Sequence, residues 1–195
     1  MKTPLASFSI ALLLTACATS HASPRTSTLQ ERLLNPLYAE RYWSEMSEHM
    51  ADFIRTNDPM AKDPVKGAII DGERTHALAQ VEAARALKHE GISGIFLAAK
   101  EEVTGEALLR DKTLSLSSNF LAYPDPSAHV LLTTITDPRG VRFPDTSSLD
   151  LGQLQSPYGD QEYVIPDDRV NKDFRTVVLY DTTLNVVLSF AQLSK

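Results

Sequence analysis

The stretch Thr176-Val-Val-Leu-Tyr-Asp-Thr-Thr-Leu-Asn-Val-Val-Leu-Ser-Phe-Ala-Gln-Leu193 limits what this chain can fold into more than any other. Val177, Leu179 and Asp181 alternate with Val178 and Tyr180. Beyond a polar turn at Thr182-Thr183, Val186, Leu188 and Phe190 alternate with Val187 and Ser189. Both runs are rich in β-branched and aromatic residues and contain neither Gly nor Pro, so they read as the two strands of a hairpin. An isolated hairpin is marginal in water, so other elements must cover this one.

Those elements lie upstream. Ile92–Phe96, Val103–Leu109 and Thr113–Ser118 are β-prone, the last two joined by Arg110-Asp111-Lys112. Leu114 and Leu116 alternate with Ser115 and Ser117 at the period of a half-buried strand. His129–Ile135, Leu149–Leu154 and Glu162–Ile165 follow, separated by loops holding Pro124, Pro126, Pro138, Gly140 and Pro144. Short strands divided by turn residues predict an antiparallel β-sandwich or barrel.

The first half carries a different period. Thr28 and Glu31 match a capping box, and Asn35-Pro36 and Asp63-Pro64 pair an N-cap with a proline at the first helical position. Tyr38, Tyr42, Trp43, Met46, Met50, Phe53 and Ile54 recur in steps of three and four, as do Ile70, Ala77, Leu78, Val81, Ala84 and Leu87. Two helices are expected, with Gly67 and Gly72 loosening the start of the second and Gly91 stopping it in a left-handed conformation. Residues 29–90 therefore read as an α-helical hairpin. Its apolar stripe is too broad for two helices to hide and calls for the β region or a partner as cover.

The N-terminus supplies an address. Lys2, an apolar run from Leu5 to Leu14, and Leu14-Thr-Ala-Cys17 have the layout of a secretory signal. The run is too short to span a bilayer as a stable helix. Its ending resembles the bacterial lipobox, which implies lipidation of Cys17 and a membrane anchor through that residue. Cleavage without lipidation, for example after Ala22, is the alternative. Ala18 after Cys17 points to the outer membrane by analogy with Gram-negative lipoproteins. Residues 1–17 are thus the signal and 18–28 a small, polar tether. Cys17 is the one cysteine, so no intramolecular disulfide forms. A net charge of −6 without a basic run is the wrong footprint for nucleic acid.

Gly94-Ile-Phe96, Val103-Thr-Gly105, Leu114-Ser-Leu116, Asn119-Phe120, Pro126 and His129-Val130 resemble the first half of the DM-thirteen domain, a Skeletor-type secreted β module. Leu151-Gly-Gln-Leu154, Gly159–Pro166, Thr176–Tyr180 and Asn185-Val-Val187 resemble its second half. The resemblance implies a β-sandwich over residues 91–195 and an electron-transfer role centred on a cysteine in the penultimate strand. Asp181 stands at that position. Asp lacks accessible one-electron chemistry and cannot form a mixed disulfide, so the fold carries over and the redox role does not.

Three residues form the candidate ligand or partner site: Asp181, His129 and Tyr180. Asp181 either binds a cation or a partner's amine, or caps the Thr182-Thr183 turn. His129 is a haem or copper ligand in the redox reading and a hydrogen-bonded structural residue otherwise. Glu73 and His76 have the spacing of di-iron bundles, with Glu45 and His49 as the available partners, but two helices do not make that four-helix site. Met46 and Met50 read as core filler. Asp125, Asp137, Asp145, Asp160, Asp167 and Asp168 fall in loops without a calcium-loop pattern. No nucleophile elbow or phosphate loop is present.

The expectation is a mainly β envelope lipoprotein without catalytic activity, metal or cofactor. It acts as a binding module for a protein partner at the outer membrane or in the periplasm. The alternative is an electron-transfer protein holding haem or copper.

Overall fold

The computed structural model describes residues 27–169 and 173–195. The signal, the lipobox at Cys17 and the cleavage alternative at Ala22 lie outside them. Four helices come first: α1 (Leu29–Arg32), α2 (Pro36–Arg55), α3 (Pro59–Lys62) and α4 (Pro64–Glu90). Eight strands follow: β1 (Ile92–Ala98), β2 (Glu106–Arg110), β3 (Thr113–Leu116), β4 (Ala128–Thr133), β5 (Leu149–Gln153), β6 (Gln161–Val164), β7 (Thr176–Asp181) and β8 (Val186–Gln192). The chain is mainly β with helices preceding, as its periodicities predict.

The helix starts are where the caps place them. Thr28 and Glu31 close the capping box of α1. Asn35 accepts from the Leu37 and Tyr38 amides and Asp63 from those of Val65 and Lys66, with Pro36 and Pro64 pre-set for the first turn. Two expectations need correction. α4 is regular from Pro64, because Gly67 fits against the backbone: an added Cβ would sit 2.6 Å from the Ala61 carbonyl oxygen. Gly91 is extended, with φ −95° and ψ −167°, so it ends α4 by entering β1 and not by a left-handed turn. It is small because strand β2 lies close by.

All strand pairs are antiparallel, in the order β5-β4-β7-β8-β1-β2-β3-β6. β1 belongs to both halves of the sheet. Residues 92–95 pair with β2, and residues 96–98 pair with β8. Gly94 makes that switch feasible, because a Cβ there would collide with the Gln192 carbonyl. The sheet thereby turns back on itself and nearly closes. Gln155, just past β5, spans the remaining gap: its amide donates to the Tyr163 hydroxyl at 3.1 Å and its side chain to the Glu162 carbonyl at 2.8 Å.

One apolar core fills the interior, drawn from both halves: Phe96, Leu114, Leu116, Val130, Leu132, Val177, Leu179 and Leu188 are among its members. A second, smaller cluster of Leu131, Val178, Tyr180 and Phe190 lies on the outer face of β4, β7 and β8, under Phe143. The register between β7 and β8 slips between Leu179 and Tyr180. This overturns the simple alternation predicted for β8. Leu188 faces inward, whereas Phe190 joins Val187 on the outer face. A bulge adds a residue and so changes which face the following side chains reach.

The helices dock on the outer side of β2 and β3. Asn35, 1% exposed, donates from Nδ2 to the Leu116 carbonyl at 3.0 Å. Arg32 pairs with Asp160, Lys88 with Glu106 at 2.9 Å, and Arg110 with Glu90 at 3.3 Å. Between α2 and α4 the buried side chains include Ala39, Ser47, Ala77, Val81 and Ala84, with Trp43 edge-on to His76. Val65, Ile69 and Ile54 remain 70%, 58% and 49% exposed, so the hairpin hides only part of its apolar stripe.

Candidate functional site

The end of β7 decides where the three candidate residues go. Side chains on a strand alternate between faces, and residues opposite each other across a pair share one. His129 lies opposite Tyr180, and Ala128 opposite Asp181. His129 and Tyr180 therefore share the outer face, whereas Asp181 turns to the inner one. The structure unites two members of the predicted site and separates the third.

Asp181 is 5% exposed. Its Oδ1 accepts from the Thr183 amide at 2.8 Å and the Leu184 amide at 2.9 Å, closing the β7–β8 turn. Asx-type capping of this kind satisfies donors that a tight turn would otherwise leave open. The carboxylate is thus committed to the backbone of its own hairpin.

His129 donates through Nδ1 to the Asp150 carboxylate on β5, 2.8 Å away. A carboxylate on one ring nitrogen fixes the tautomer and frees the other nitrogen as the ligating atom. A copper site draws on several imidazole or sulfur donors. Among the described residues no three His, Cys, Asp or Glu side chains gather in a way that could hold a metal ion. The donor set around His129 does not fit copper, and it offers haem a single axial imidazole.

Tyr180 is 3% exposed, its ring edge-on to Phe143 with centroids 5.5 Å apart. Its hydroxyl reaches Asn185 Oδ1 at 3.3 Å. Burial, and then the Asp181 charge, raise the phenol above its ordinary range, so it stays protonated. A cleft of about 410 Å³ opens beside it between the β7–β8 turn, the exit of β1 and the loop from Thr134 to Ser148. Lys100 and Arg139 supply its positive edge. Arg139 is already engaged. It pairs with Asp137 at 2.7 Å and lies over the Phe190 ring, 4.9 Å from its centroid. Its hydrogen bonds hold the Asp137 carboxyl down at about 2.

The other polar candidates have local partners. Asp125 accepts from the Ser127 amide, Asp145 from Ser147 and Ser148, Asp160 from Arg32, and Asp167 from Lys112; Asp168 pairs with Arg169. His49 stacks edge-on with Phe53, and His76 with Trp43.

Sequence reasoning passed over two features. Glu101 Oε2 is buried and has no hydrogen-bond partner among the described residues. Burial raises its pKa, and the Asp125 and Asp181 charges add to the rise. The second is a groove of about 320 Å³ beside Tyr123 and Tyr158. Neither has a periodic signal, because each depends on segments brought together from distant parts of the chain.

A comparison with protein-family models matches residues 96–193 to DM13, described as electron transfer DM13. Searches of curated proteins and of solved structures found no match. The matched span contains β2 to β8, the inner core and the His129–Tyr180 face, and it exceeds half of the chain. With that span and the sheet that folds from it, the chain belongs to the electron transfer DM13 family.

Proposed function

We propose that this DM13 member is a lipid-anchored envelope protein that binds a partner and does not itself carry electrons. The observation that carries the reading is Asp181. At the position where the resemblance implies a redox thiol stands a carboxylate, and both of its close contacts are turn amides. The scaffold is retained and the sulfur is not.

The helical hairpin supports a role in recognition. Val65 and Ile69 lie one turn apart on α4, and both are more than half exposed. A row of this kind presents apolar surface for another protein to cover. Among the described residues no helix is long and apolar enough to cross a membrane. In this reading a lipid on Cys17 supplies the location, and the short polar tether lets the folded part face outward from the periplasmic leaflet or the cell surface of the outer membrane.

Co-purification from membranes in mild detergent tests it, with Val65→Ser/Ile69→Ser run beside the unmodified chain. A protein retained by the unmodified chain and lost from the variant supports the reading. A chain that elutes alone and carries stoichiometric haem or copper overturns it.

Electron transfer through haem on His129 is the competing reading. The pairing of His129 with Asp150 favours it, since metal-binding imidazoles are held in this way. Its test is metal analysis and the visible spectrum of the purified chain, repeated with His129→Ala.

A further inference from the structure

The groove beside Tyr123 has a backbone-built wall. Thr104, Leu121 and Tyr158 sit side by side on three extended segments: Thr104 bridges Leu121, and Leu121 bridges Tyr158. Paired amides and carbonyls at 3.0 and 3.1 Å hold the first bridge, and the Ala122 amide on the Pro157 carbonyl at 2.9 Å steadies the second. Directly bridged residues project from the same face. Residues two apart on an extended segment do so as well. Glu102 therefore lines up with Thr104, and Tyr123 with Leu121. Ala122, between Leu121 and Tyr123, points the other way and is buried in the core.

The outcome is a fixed row that stands in solvent. Leu121 is 50% exposed, Tyr158 57% and Tyr123 64%. Two tyrosine rings and a leucine thus meet solvent on one side, while Val103 and Ala122 on the other side are buried in the core. The recess they border, about 320 Å³, has the capacity for a small organic molecule. Glu102 is the one charged side chain on its lining, which holds no Lys, Arg or His. The one charge on the lining is therefore negative.

The geometry points to a binding site for a small organic cation of the quaternary or alkylated ammonium class, received against Tyr123 and Tyr158 with Glu102 as counter-charge. The electron-rich faces of aromatic rings attract such cations, and their methyl groups are content against apolar walls. A metal ion would demand several oxygen ligands, where this wall has one carboxylate. An anion would meet Glu102 unopposed. This inference rests on the binding role proposed above and gives it a ligand class.

The test is a calorimetric or NMR titration of the full chain, in a detergent without a choline headgroup. Choline is the probe and 3,3-dimethylbutan-1-ol its uncharged isostere. The site predicts that choline binds at least about tenfold more tightly than the isostere, and that Tyr123→Ala and Tyr158→Ala each weaken it by about threefold to tenfold. Tyr123→Phe retains binding, since the ring is kept, and Glu102→Gln weakens it and lowers its salt dependence. Both tyrosines are surface residues, and the thermal melt of each variant confirms its fold. Equal binding of the two probes, no choline binding at tens of millimolar, or preference for a neutral sugar overturns the ligand class. A redox titration of the same sample reads the parent role separately, because a bound redox cofactor contradicts that role whatever choline does.

Discussion

The β sheet and the helical hairpin solve the same problem in opposite ways. In the sheet, Leu114, Leu116, Leu132, Val177 and Phe190 are fully buried, and even the outer cluster lies beneath Phe143 and Arg139. In the hairpin, α2 and α4 bury small residues such as Ala39, Ala77 and Ala84 against each other and leave Val65 and Ile69 in solvent. The two regions meet through polar groups: Asn35 on a strand carbonyl, and ion pairs at Arg32, Lys88 and Arg110. The sheet therefore supplies most of the large fully buried side chains, and the hairpin leaves part of its apolar surface uncovered.

The comparison breaks most readily at Phe190. Phe190→Ala removes a fully buried ring from the outer cluster. It is expected to cost about 3–5 kcal/mol in urea unfolding, as large-to-small changes in cores do. A loss below 1 kcal/mol would show that the outer cluster is not a true core.

The joint between the regions comes next. Asn35→Ala removes the N-cap of α2 and leaves the buried Leu116 carbonyl without its side-chain donor. A loss of about 1–3 kcal/mol is expected from an unsatisfied buried group together with a missing cap. If the hairpin docks through this residue, amide exchange in α2 rises in the variant while the inner strands stay protected.

A smaller effect sharpens the account of the cover over the outer face. Burial pushes the Asp145 carboxyl up, but hydrogen bonds from Ser148, Ser147 and Thr133 outweigh it and hold the group at about 2, below its ordinary 3.8. A depressed folded-state pKa contributes stability that is complete above the unfolded value and is lost as pH falls through the folded one. The melting temperature should therefore decline between about pH 4 and pH 2 more steeply in the parent than in Asp145→Asn. Parallel profiles would remove Asp145 from the account. Ile69→Ser is the smallest change: as an exposed site it should shift stability by no more than about 0.5 kcal/mol. A larger loss would mean that Ile69 is part of the fold and not a free surface.

Much of this architecture can be read before any coordinates. Asn35-Pro36 and Asp63-Pro64 mark helix starts because a cap and a fixed φ are local properties. Thr176–Asp181 and Val186–Gln192 announce strands through β-branched residues in a run free of Gly and Pro. The face of Phe190 is not legible, because the slip between Leu179 and Tyr180 is fixed by packing across strands and not by composition. The start of β2 is misplaced for a similar reason: Thr104 bridges Leu121 from outside any regular ladder. The predicted site fares alike. Asp181 as a turn cap follows from its neighbours in sequence, whereas the pairing of His129 with Asp150 spans two strands. The Tyr123–Tyr158 wall depends on three segments meeting, so Tyr123-Pro-Asp-Pro126 reads only as a loop.

Binding in place of electron transfer is most directly tested by a spectroelectrochemical redox titration of the full chain as extracted from membranes. A flat response across the range of haem and copper proteins, with spectra identical for the parent and His129→Ala, is the predicted result. A reversible one-electron transition that vanishes in His129→Ala would contradict it.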